Sequence, residues 1–182
     1  MNLNQVVLVD EQDNILGEME KLEAHHKGAL HRAFSVFVFD DQDRMLLHKR
    51  AGTKYHSAGL WTNACCSHPC MGETYLAGAH RRIQQEMGFD LTLHPVKSII
   101  YKSKLADGLW EHELDHLFVG RYNGPIQPNP DEVSDHSYVS LETLQAQMIA
   151  SPETFTEWFK VFLQPVHLRD ILVTLKNQAP VD

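Results

Sequence analysis

The segment Ala33–Phe39, which reads AFSVFVF, constrains the fold of this chain more than any other stretch. Its apolar residues follow one another instead of alternating with polar ones, so a strand formed here is apolar on both faces. Such a strand lies in the centre of a sheet. The chain has 182 residues, which is enough to bury one core around this strand, and we expect a single domain over residues 1–182.

Other segments supply partners for this strand and helices that pack against the sheet. From Glu73 to Met87 the apolar residues are three or four positions apart, which is helical spacing, and Gly88 follows as a stop. The other predicted elements are strands at Gln5–Val9, Met45–Lys49, Leu60–Ala64, Ser98–Lys102 and Trp110–Tyr122, a turn at 106–108, a loop at Gly124–Pro130, and helices at Pro152–Leu163 and Val166–Asn177. These elements predict an α+β protein with a mixed sheet, and they leave its strand order open.

The charge balance limits the partners of the chain. Sixteen basic and 24 acidic residues give a formal net charge of −8, which provides no positive field for nucleic acid or anionic membranes. The first residues lack the basic and apolar regions of a signal peptide, and the apolar stretches are shorter than the ~20 residues of a membrane span. We therefore expect a cytoplasmic protein with no nucleic-acid or membrane partner.

Three cysteines, Cys65, Cys66 and Cys70, lie close together in the sequence. An odd and clustered set is a poor disulfide framework, so we expect reduced thiols. The cluster includes His68 and suggests a zinc knuckle, but a second Cys/His pair at regular spacing is missing. A thiol in this segment can equally be a small buried apolar residue.

The sharpest local arrangement of acidic residues is the pair Glu111 and Glu113 in an extended segment. Side chains two apart on a strand share a face, with Cα atoms ~6.5 Å apart, so both carboxylates can reach one ion. The alternative is a solvated strand face that carries charge. His25, His31 and His68 could complete a site of imidazole and carboxylate ligands, which suits manganese, zinc or iron better than calcium. Their spacing does not decide between ligands and ordinary surface histidines.

A family resemblance is carried by the segment Trp61–Pro69, the pair Glu111 and Glu113, and the helix Glu73–Phe89. Together these features resemble type I isopentenyl-diphosphate isomerases, which are members of the Nudix-like superfamily, and the resemblance covers nearly the whole chain. The stretch TNACCSHP within the first segment is specific for this isomerase type, whereas the helix is specific only for the superfamily. The resemblance implies a Nudix-like mixed sheet sandwiched between helices.

The helix departs from the hydrolase form of the Nudix box. Two box glutamates are replaced, by Arg82 and Gln85, while Glu73, Arg81 and Glu86 keep their places. Nudix hydrolases use the clustered carboxylates to hold metals that activate water, so these replacements remove much of the hydrolytic apparatus. A diphosphate can still bind, because a positive charge at position 82 favours holding a phosphate.

The resemblance implies two metal positions. The ligands that it implies for a tightly bound Mn²⁺, Zn²⁺ or Mg²⁺ are His25, His31, His68, Glu111 and Glu113. The N-terminal segment, residues 1–32, would supply the first two histidines and contribute to the active site as a cover, with His26 as an open alternative to His25. A Mg²⁺ ion bound together with the substrate's diphosphate would be held at Glu86 and Cys66.

The reaction implied by the resemblance is the 1,3-allylic rearrangement of isopentenyl diphosphate to dimethylallyl diphosphate. Glu113, helped by Tyr101, would donate a proton to the alkene, and Cys66 on the opposite face would take one from the neighbouring carbon. Trp158 would place its π face against the carbocation, although a tryptophan at helical spacing is also typical of a core. The residues that match diphosphate contacts are Lys21, Arg50, Lys54 and Arg82. Each of these could instead be a solvated surface charge.

Two other functions stay open at this point. A Nudix hydrolase of nucleoside or other diphosphates is favoured by Glu73, Arg81, Glu86 and Gly88, and a catalytically idle metal or diphosphate binding module is favoured by the two replacements in the box. In every case the expected partner is a small-molecule diphosphate, bound by a monomer or a homodimer.

Overall fold

Over residues 4–105 and 108–177, which the computed structural model describes, the chain forms a nine-stranded mixed sheet with helices on both faces. The strands are β1 Gln5–Val9, β2 Ile15–Glu20, β3 His31–Phe39, β4 Met45–Arg50, β5 Trp61–Asn63, β6 Cys65–Ser67, β7 His94–Lys104, β8 Trp110–Arg121 and β9 Val133–Val139. The helices are α1 Lys21–Lys27, α2 Tyr75–Met87, α3 Leu141–Ala150, α4 Glu157–Phe162 and α5 Pro165–Lys176. Within the described part of the chain, every helix is too short or too polar to cross a membrane.

Strand β3 is the central strand that its sequence predicts. It pairs antiparallel with β1, β4 and β6, and it pairs parallel with β8 in a register that places His31 beside Glu113. Phe34 and Val38 on one face pack in a core with α2, and Phe37 on the other face packs in a core with α4 and α5. The prediction of an α+β fold with a mixed sheet sandwiched between helices is therefore confirmed.

The strand predicted at Leu60–Ala64 is confirmed as β5, which pairs with β4, and it is followed by β6, a short strand that was not predicted and that pairs with β3. One predicted element is wrong in its continuity. The segment Pro152–Leu163 is not one helix, because Phe155 forms a parallel bridge with Trp61 and separates a 3₁₀ turn from α4. Two of the residues in the turn predicted at 106–108 lie outside the described residues.

Four elements were not predicted because their burial is slight or irregular. Strand β2 exposes its largest apolar residues, Ile15 and Leu16, and therefore lacks an apolar face. Helix α3 buries only Leu144, and helix α1 has seven residues and buries only Ala24 and His25. Strand β9 is mostly polar and is held by its pairing with β4. Apolar periodicity, which is the main signal in a sequence, is weak in all four.

Gly88 ends α2 as predicted, with a left-handed backbone at φ 76° and its N–H bonded to the Gln84 carbonyl oxygen at 3.0 Å. A β-carbon at this position would overlap the backbone carbonyl oxygen of Gln127. Because the overlapping group is backbone, it cannot rotate away as a side chain would. The loop that follows β8 is thus packed closely against the end of α2.

We expect Gly88→Ala to lower the free energy of unfolding by at least about 2 kcal/mol, from the left-handed backbone and the overlap together. The matched control is Gly72→Ala, at φ 79°, where nothing lies within 4 Å of an added β-carbon. That variant should lose only about 1 kcal/mol. Urea unfolding of the three proteins measures both losses, and equal losses would contradict close packing at Gly88.

Candidate active site

A cavity of about 150 Å³ lies between α1, the loop that follows β4, β6, α2 and β8. Its walls carry residues of all three predicted groups, namely imidazoles and carboxylates, basic residues, and the pair Cys66 and Glu113. The predicted residues His31 and Tyr101 are buried and contact Glu113. The fold therefore gathers residues from both ends of the chain around one small space.

The first group in this cavity is a cluster of histidines and glutamates. The ligand atoms of His25, His31, His68 and Glu113 lie within 4.8 Å of one another. His68 directly follows β6, and its Nε2 lies 2.9 Å from Oε1 of Glu113. His25 on α1 places its Nε2 3.2 Å from Oε2 of Glu111. Because β3 and β8 are parallel and adjacent, imidazoles and carboxylates meet across them.

The orientation of the imidazoles in this cluster suits metal ligands. Nδ1 of His25 lies 2.7 Å from the backbone oxygen of Lys21, and Nδ1 of His31 lies 2.8 Å from that of Ala29, so each Nδ1–H can donate and leave Nε2 for an ion. Nε2 of His31 and Oε2 of Glu111 are buried and have no hydrogen-bond partner among the described residues. Such orphaned atoms and this mixture of nitrogen and oxygen donors fit a divalent transition metal.

Helix α1 distinguishes two neighbouring histidines. His25 is 1% exposed and belongs to the cluster, whereas His26 is exposed to solvent. Lys21, at the start of the same helix, also lines the cavity. The N-terminal segment thus contributes two residues to the cavity walls, Lys21 and His25.

His56 is a cavity residue that sequence reasoning missed. Its Nε2 lies 3.8 Å from Oε1 of Glu111, its Nδ1 lies 3.2 Å from Oγ of Ser57, and it forms a second group of candidate ligands with His25 and Glu111. Burial lowers the pKa of His56 to about 3, so its imidazole is neutral. The residue lies in a polar loop, where neither periodicity nor a motif distinguishes it from a surface histidine.

One wall of the cavity carries the predicted acid. The antiparallel register of β7 and β8 pairs Tyr101 with Glu113, and the tyrosine hydroxyl donates to Oε2 of Glu113 at 2.5 Å. Burial raises the pKa of Glu113, but the imidazoles of His31 and His68 beside its carboxyl group outweigh burial and hold the pKa well below its usual range. The carboxyl group is therefore ionised in this arrangement.

Another wall carries the predicted base. Sγ of Cys66 lies 2.9 Å from Oδ1 of Asn63 and 3.2 Å from Oγ of Ser35, and the serine hydroxyl donates to Oδ2 of Asp115 at 2.8 Å. Burial raises the pKa of the Cys66 thiol well above its usual value, so the sulfur holds its proton. A thiol and the carboxylate of Glu113 thus face one cavity.

The other two cysteines have a structural role. Cys65 and Cys70 are buried, and all three cysteines are free thiols, as predicted. Within the described part of the chain, neither joins a group of candidate metal ligands, so the zinc-knuckle interpretation gains no support. Cys65 packs in the apolar core with α2, as a small apolar residue does.

Four basic residues predicted for a diphosphate lie on the cavity walls, namely Lys21, Arg50, Lys54 and Arg82. They are joined there by Glu132, which forms ion pairs with Lys54 and, at 3.3 Å, with Arg82. Sequence reasoning missed Glu132, which lies just before β9 in a segment with no motif. Two carboxylates, Glu132 and Glu86, pair with cations of this group. Four positive charges therefore face two negative ones, and this group of residues attracts an anion.

The altered Nudix box places its two arginines differently. Arg81 forms an ion pair with Glu73 at 2.8 Å beneath the loop that precedes α2. Arg82 lines the cavity instead, and its guanidinium lies 2.5 Å from Oε1 of Glu86. The cation that replaces a box glutamate therefore lies beside Glu86, one of the two box carboxylates that remain.

Trp158 is both a core residue and a cavity residue. It is 3% exposed and packs in the core with α5, yet it also lines the cavity. The guanidinium of Arg50 lies 5.1 Å from the centre of its ring, and the ring of His56 meets it edge-on at 5.7 Å. The two interpretations of this tryptophan from sequence are thus compatible.

Comparisons with known proteins agree with this arrangement. The family described as NUDIX domain matches residues 29–159. The chain is 51% identical to isopentenyl-diphosphate Delta-isomerase 2 of Photorhabdus laumondii, over 91% of this chain and 94% of that one. It is 49% identical to isopentenyl-diphosphate Delta-isomerase of Pectobacterium atrosepticum, over 88% of this chain and 90% of that one.

Solved structures support the same fold at low sequence identity. A protein from Deinococcus radiodurans is 17% identical with a TM-score of 0.71, covering 86% of this chain and 96% of that one. A MutT protein from Methanosarcina mazei is 17% identical with a TM-score of 0.62, covering 78% and 92%. On the identity to its curated relatives and the NUDIX match, this chain belongs to the type I isopentenyl-diphosphate Delta-isomerase family of the Nudix superfamily.

Proposed function

We propose that this chain converts isopentenyl diphosphate into dimethylallyl diphosphate in isoprenoid biosynthesis, by protonation and deprotonation of the five-carbon chain. The observation that carries the proposal is the presence of Cys66 and Glu113 on the walls of one cavity that four basic residues also line. A thiol and a carboxyl group can exchange protons with two neighbouring carbons, while the cations hold the diphosphate.

The diphosphate end of the substrate lies, in this proposal, among the basic residues of the cavity. The residues that contact its oxygens are Lys21, Arg50, Lys54 and Arg82. Glu86 and Cys66 are the proposed holders of a Mg²⁺ ion that binds together with the diphosphate. Such an ion neutralises phosphate charge and takes few protein ligands. The apolar tail then extends toward Trp158 and Glu113.

The proton chemistry is balanced between two groups. The forward reaction starts from the form of the pair that has the proton on Glu113 and a thiolate at Cys66, which a proton transfer from the sulfur to the carboxylate produces. Glu113, which accepts a hydrogen bond from the Tyr101 hydroxyl, then gives its proton to the terminal alkene carbon, and the neighbouring tertiary carbon becomes cationic. Cys66 Sγ then takes a proton from the adjacent carbon, and the double bond forms in its new place. Trp158 faces the cation, an interaction worth about 2 kcal/mol when desolvated. With the proton on the sulfur and none on the carboxylate, the same pair can run the reaction in reverse.

The histidine and glutamate cluster is the proposed site of a second divalent ion, Mn²⁺, Zn²⁺ or Mg²⁺. The proposed ligands are His25, His31, His68, Glu111 and Glu113. An ion held there would supply positive charge beside the Glu113 carboxyl group, which would make a proton on that group more acidic. The imidazoles fix the orientation of that carboxyl group, and helix α1 covers the cluster and limits the access of water to the carbocation.

The assay that tests this proposal follows isopentenyl diphosphate by proton NMR in heavy water with Mg²⁺. We expect the methyl signals of dimethylallyl diphosphate to appear and deuterium to enter both compounds. Release of phosphate from a panel of diphosphates would instead support a Nudix hydrolase. Binding of the substrate without deuterium exchange would support an idle binding module, and either result would overturn the isomerase.

The proposed location is the cytoplasm, because three neighbouring free thiols, one of which is the proposed base, are typical of a reducing compartment. The proposed partner is a small-molecule diphosphate, bound by a monomer or a homodimer.

A further inference from the structure

A chain of buried hydrogen bonds connects Cys66 to Trp158 through two side chains that do not line the cavity. Nε1 of Trp158 lies 2.9 Å from Oγ1 of Thr62, Oγ1 of Thr62 lies 3.0 Å from Oδ1 of Asn63, and Oδ1 of Asn63 lies 2.9 Å from Sγ of Cys66. Thr62 and Asn63 are 0% exposed. This series of hydrogen bonds therefore lies in the core and connects two of the proposed reaction residues.

The direction of every bond in this chain is fixed by the number of donors. The amide nitrogen of Asn63 gives its two hydrogens to the backbone oxygens of Val36 and Cys65, both at 3.0 Å, so Oδ1 must face the sulfur and Thr62. An indole N–H can only donate. Thr62 therefore accepts from Trp158 and gives its single hydrogen to Asn63.

The hydroxyl of Thr62 has no free hydrogen-bonding capacity. Its oxygen accepts from Trp158 and, at 3.1 Å, from the hydroxyl of Thr156, and its hydrogen goes to Asn63. A rotation of the Trp158 ring would break the bond to Thr62 and leave a buried N–H without a partner, at a cost in free energy. The bond thus fixes which face of the indole meets the cavity.

We propose that Thr62 is a positioning residue that sets the indole of Trp158 and, through Asn63, the sulfur of Cys66 in one geometry for the reaction. The inference rests on the proposed isomerase function. Its physical basis is that the Trp158 ring, which faces the cation, and the Cys66 sulfur, which takes the proton, must both be in their reactive positions at the same time. One hydroxyl links their positions, whereas two separate anchors would let them shift independently.

The test compares Thr62→Val, which keeps the shape and removes the hydroxyl, with Thr62→Ser, which keeps the hydroxyl. We expect Thr62→Val to lower kcat about 10- to 100-fold, as small misplacements of reacting groups do, and to leave KM nearly unchanged. Thr62→Ser should restore most of kcat. The matched control is Thr156→Val, which removes another buried hydroxyl from the same cluster but keeps the hydrogen bonds from Trp158 through Thr62 and Asn63 to Cys66. The kcat of this variant should stay near that of the unmodified protein.

A second readout does not depend on catalysis. The indole N–H of Trp158 gives its own signal in a proton–nitrogen NMR spectrum, which Trp158→Phe assigns among the three tryptophans. We expect this signal to shift in Thr62→Val and to stay in Thr62→Ser. If Thr62→Val does not fold, Thr62→Ala with Thr62→Ser gives the same comparison in a less crowded position.

Equal kcat in Thr62→Val and Thr62→Ser would overturn the proposal, and so would equal losses in Thr62→Val and Thr156→Val, because those would reflect packing alone. Failure of the proposed function is seen separately. In that case the unmodified protein shows no isomerisation, while the Trp158 signal still reports whether the hydrogen bond is formed.

Discussion

Replacing Cys66 with alanine lowers isomerase turnover by about 10³- to 10⁴-fold, near the upper range for a positioned acid or base. The loss is large because Cys66 is the proposed proton acceptor, and the Glu113 carboxyl on another wall of the cavity is reserved for the proton donor. The KM for isopentenyl diphosphate should rise much less than turnover falls, because the basic residues and Glu86 on the cavity wall still hold the diphosphate and its proposed Mg²⁺. Rates of conversion by NMR, with substrate varied, measure both quantities.

The control for this variant is Cys65→Ala, at the adjacent thiol. Cys65 is buried in the core with α2 and does not line the cavity described above, so its replacement should lower stability more than turnover. Full turnover in Cys66→Ala, or equal losses in the two variants, would remove the proposed role of the Cys66 sulfur.

Replacing Glu113 with glutamine should remove both turnover and binding of the proposed tightly bound ion. The amide cannot give a proton to an alkene, and it has no negative charge with which to hold a metal. Because loss of even an outer partner of a metal ligand lowers affinity about 10- to 100-fold, we expect a loss of more than about 100-fold here. Metal analysis after dialysis measures the affinity, and NMR measures the turnover.

The same metal assay tests the ligand set on α1. His25→Ala should lose the ion, whereas His26→Ala, at the exposed neighbour, should keep it. In the unmodified protein, free metal at 100 times its Kd should add about 2.7 kcal/mol to the free energy of unfolding. That gain should be absent from His25→Ala and Glu113→Gln and present in His26→Ala. Equal metal content in all four proteins would contradict the proposed site.

The sequence predicts those parts of the fold in which a local pattern reflects burial. Ala33–Phe39 is apolar at consecutive positions and is the central strand, and Gly88 ends α2 where the backbone becomes left-handed. Ile15–Glu20 was not predicted, because a strand with exposed apolar residues has no alternation toward a core. Its strand character comes from pairing with β1, which a local pattern does not report.

The same limit applies to the site. The segment TNACCSHP and the pair Glu111 and Glu113 indicate the site from sequence because they are unusual combinations of residue types. His56 and Glu132 are common residues in loops, and only the folded chain brings them to the cavity. The meeting of imidazoles with carboxylates depends on the parallel register of two distant strands, and no short stretch of sequence contains that register.

The parallel pairing of β3 with β8 has a consequence for biosynthesis. His31 and Glu113 are neighbours in space but far apart in sequence, so a nascent chain still emerging from the ribosome has the histidines long before it has the carboxylates. Contacts of such long range form late in folding, so the proposed metal site is complete only after β3 and β8 have paired. A truncated or misassembled copy, in which these strands are not paired, would lack the site and could not bind the ion.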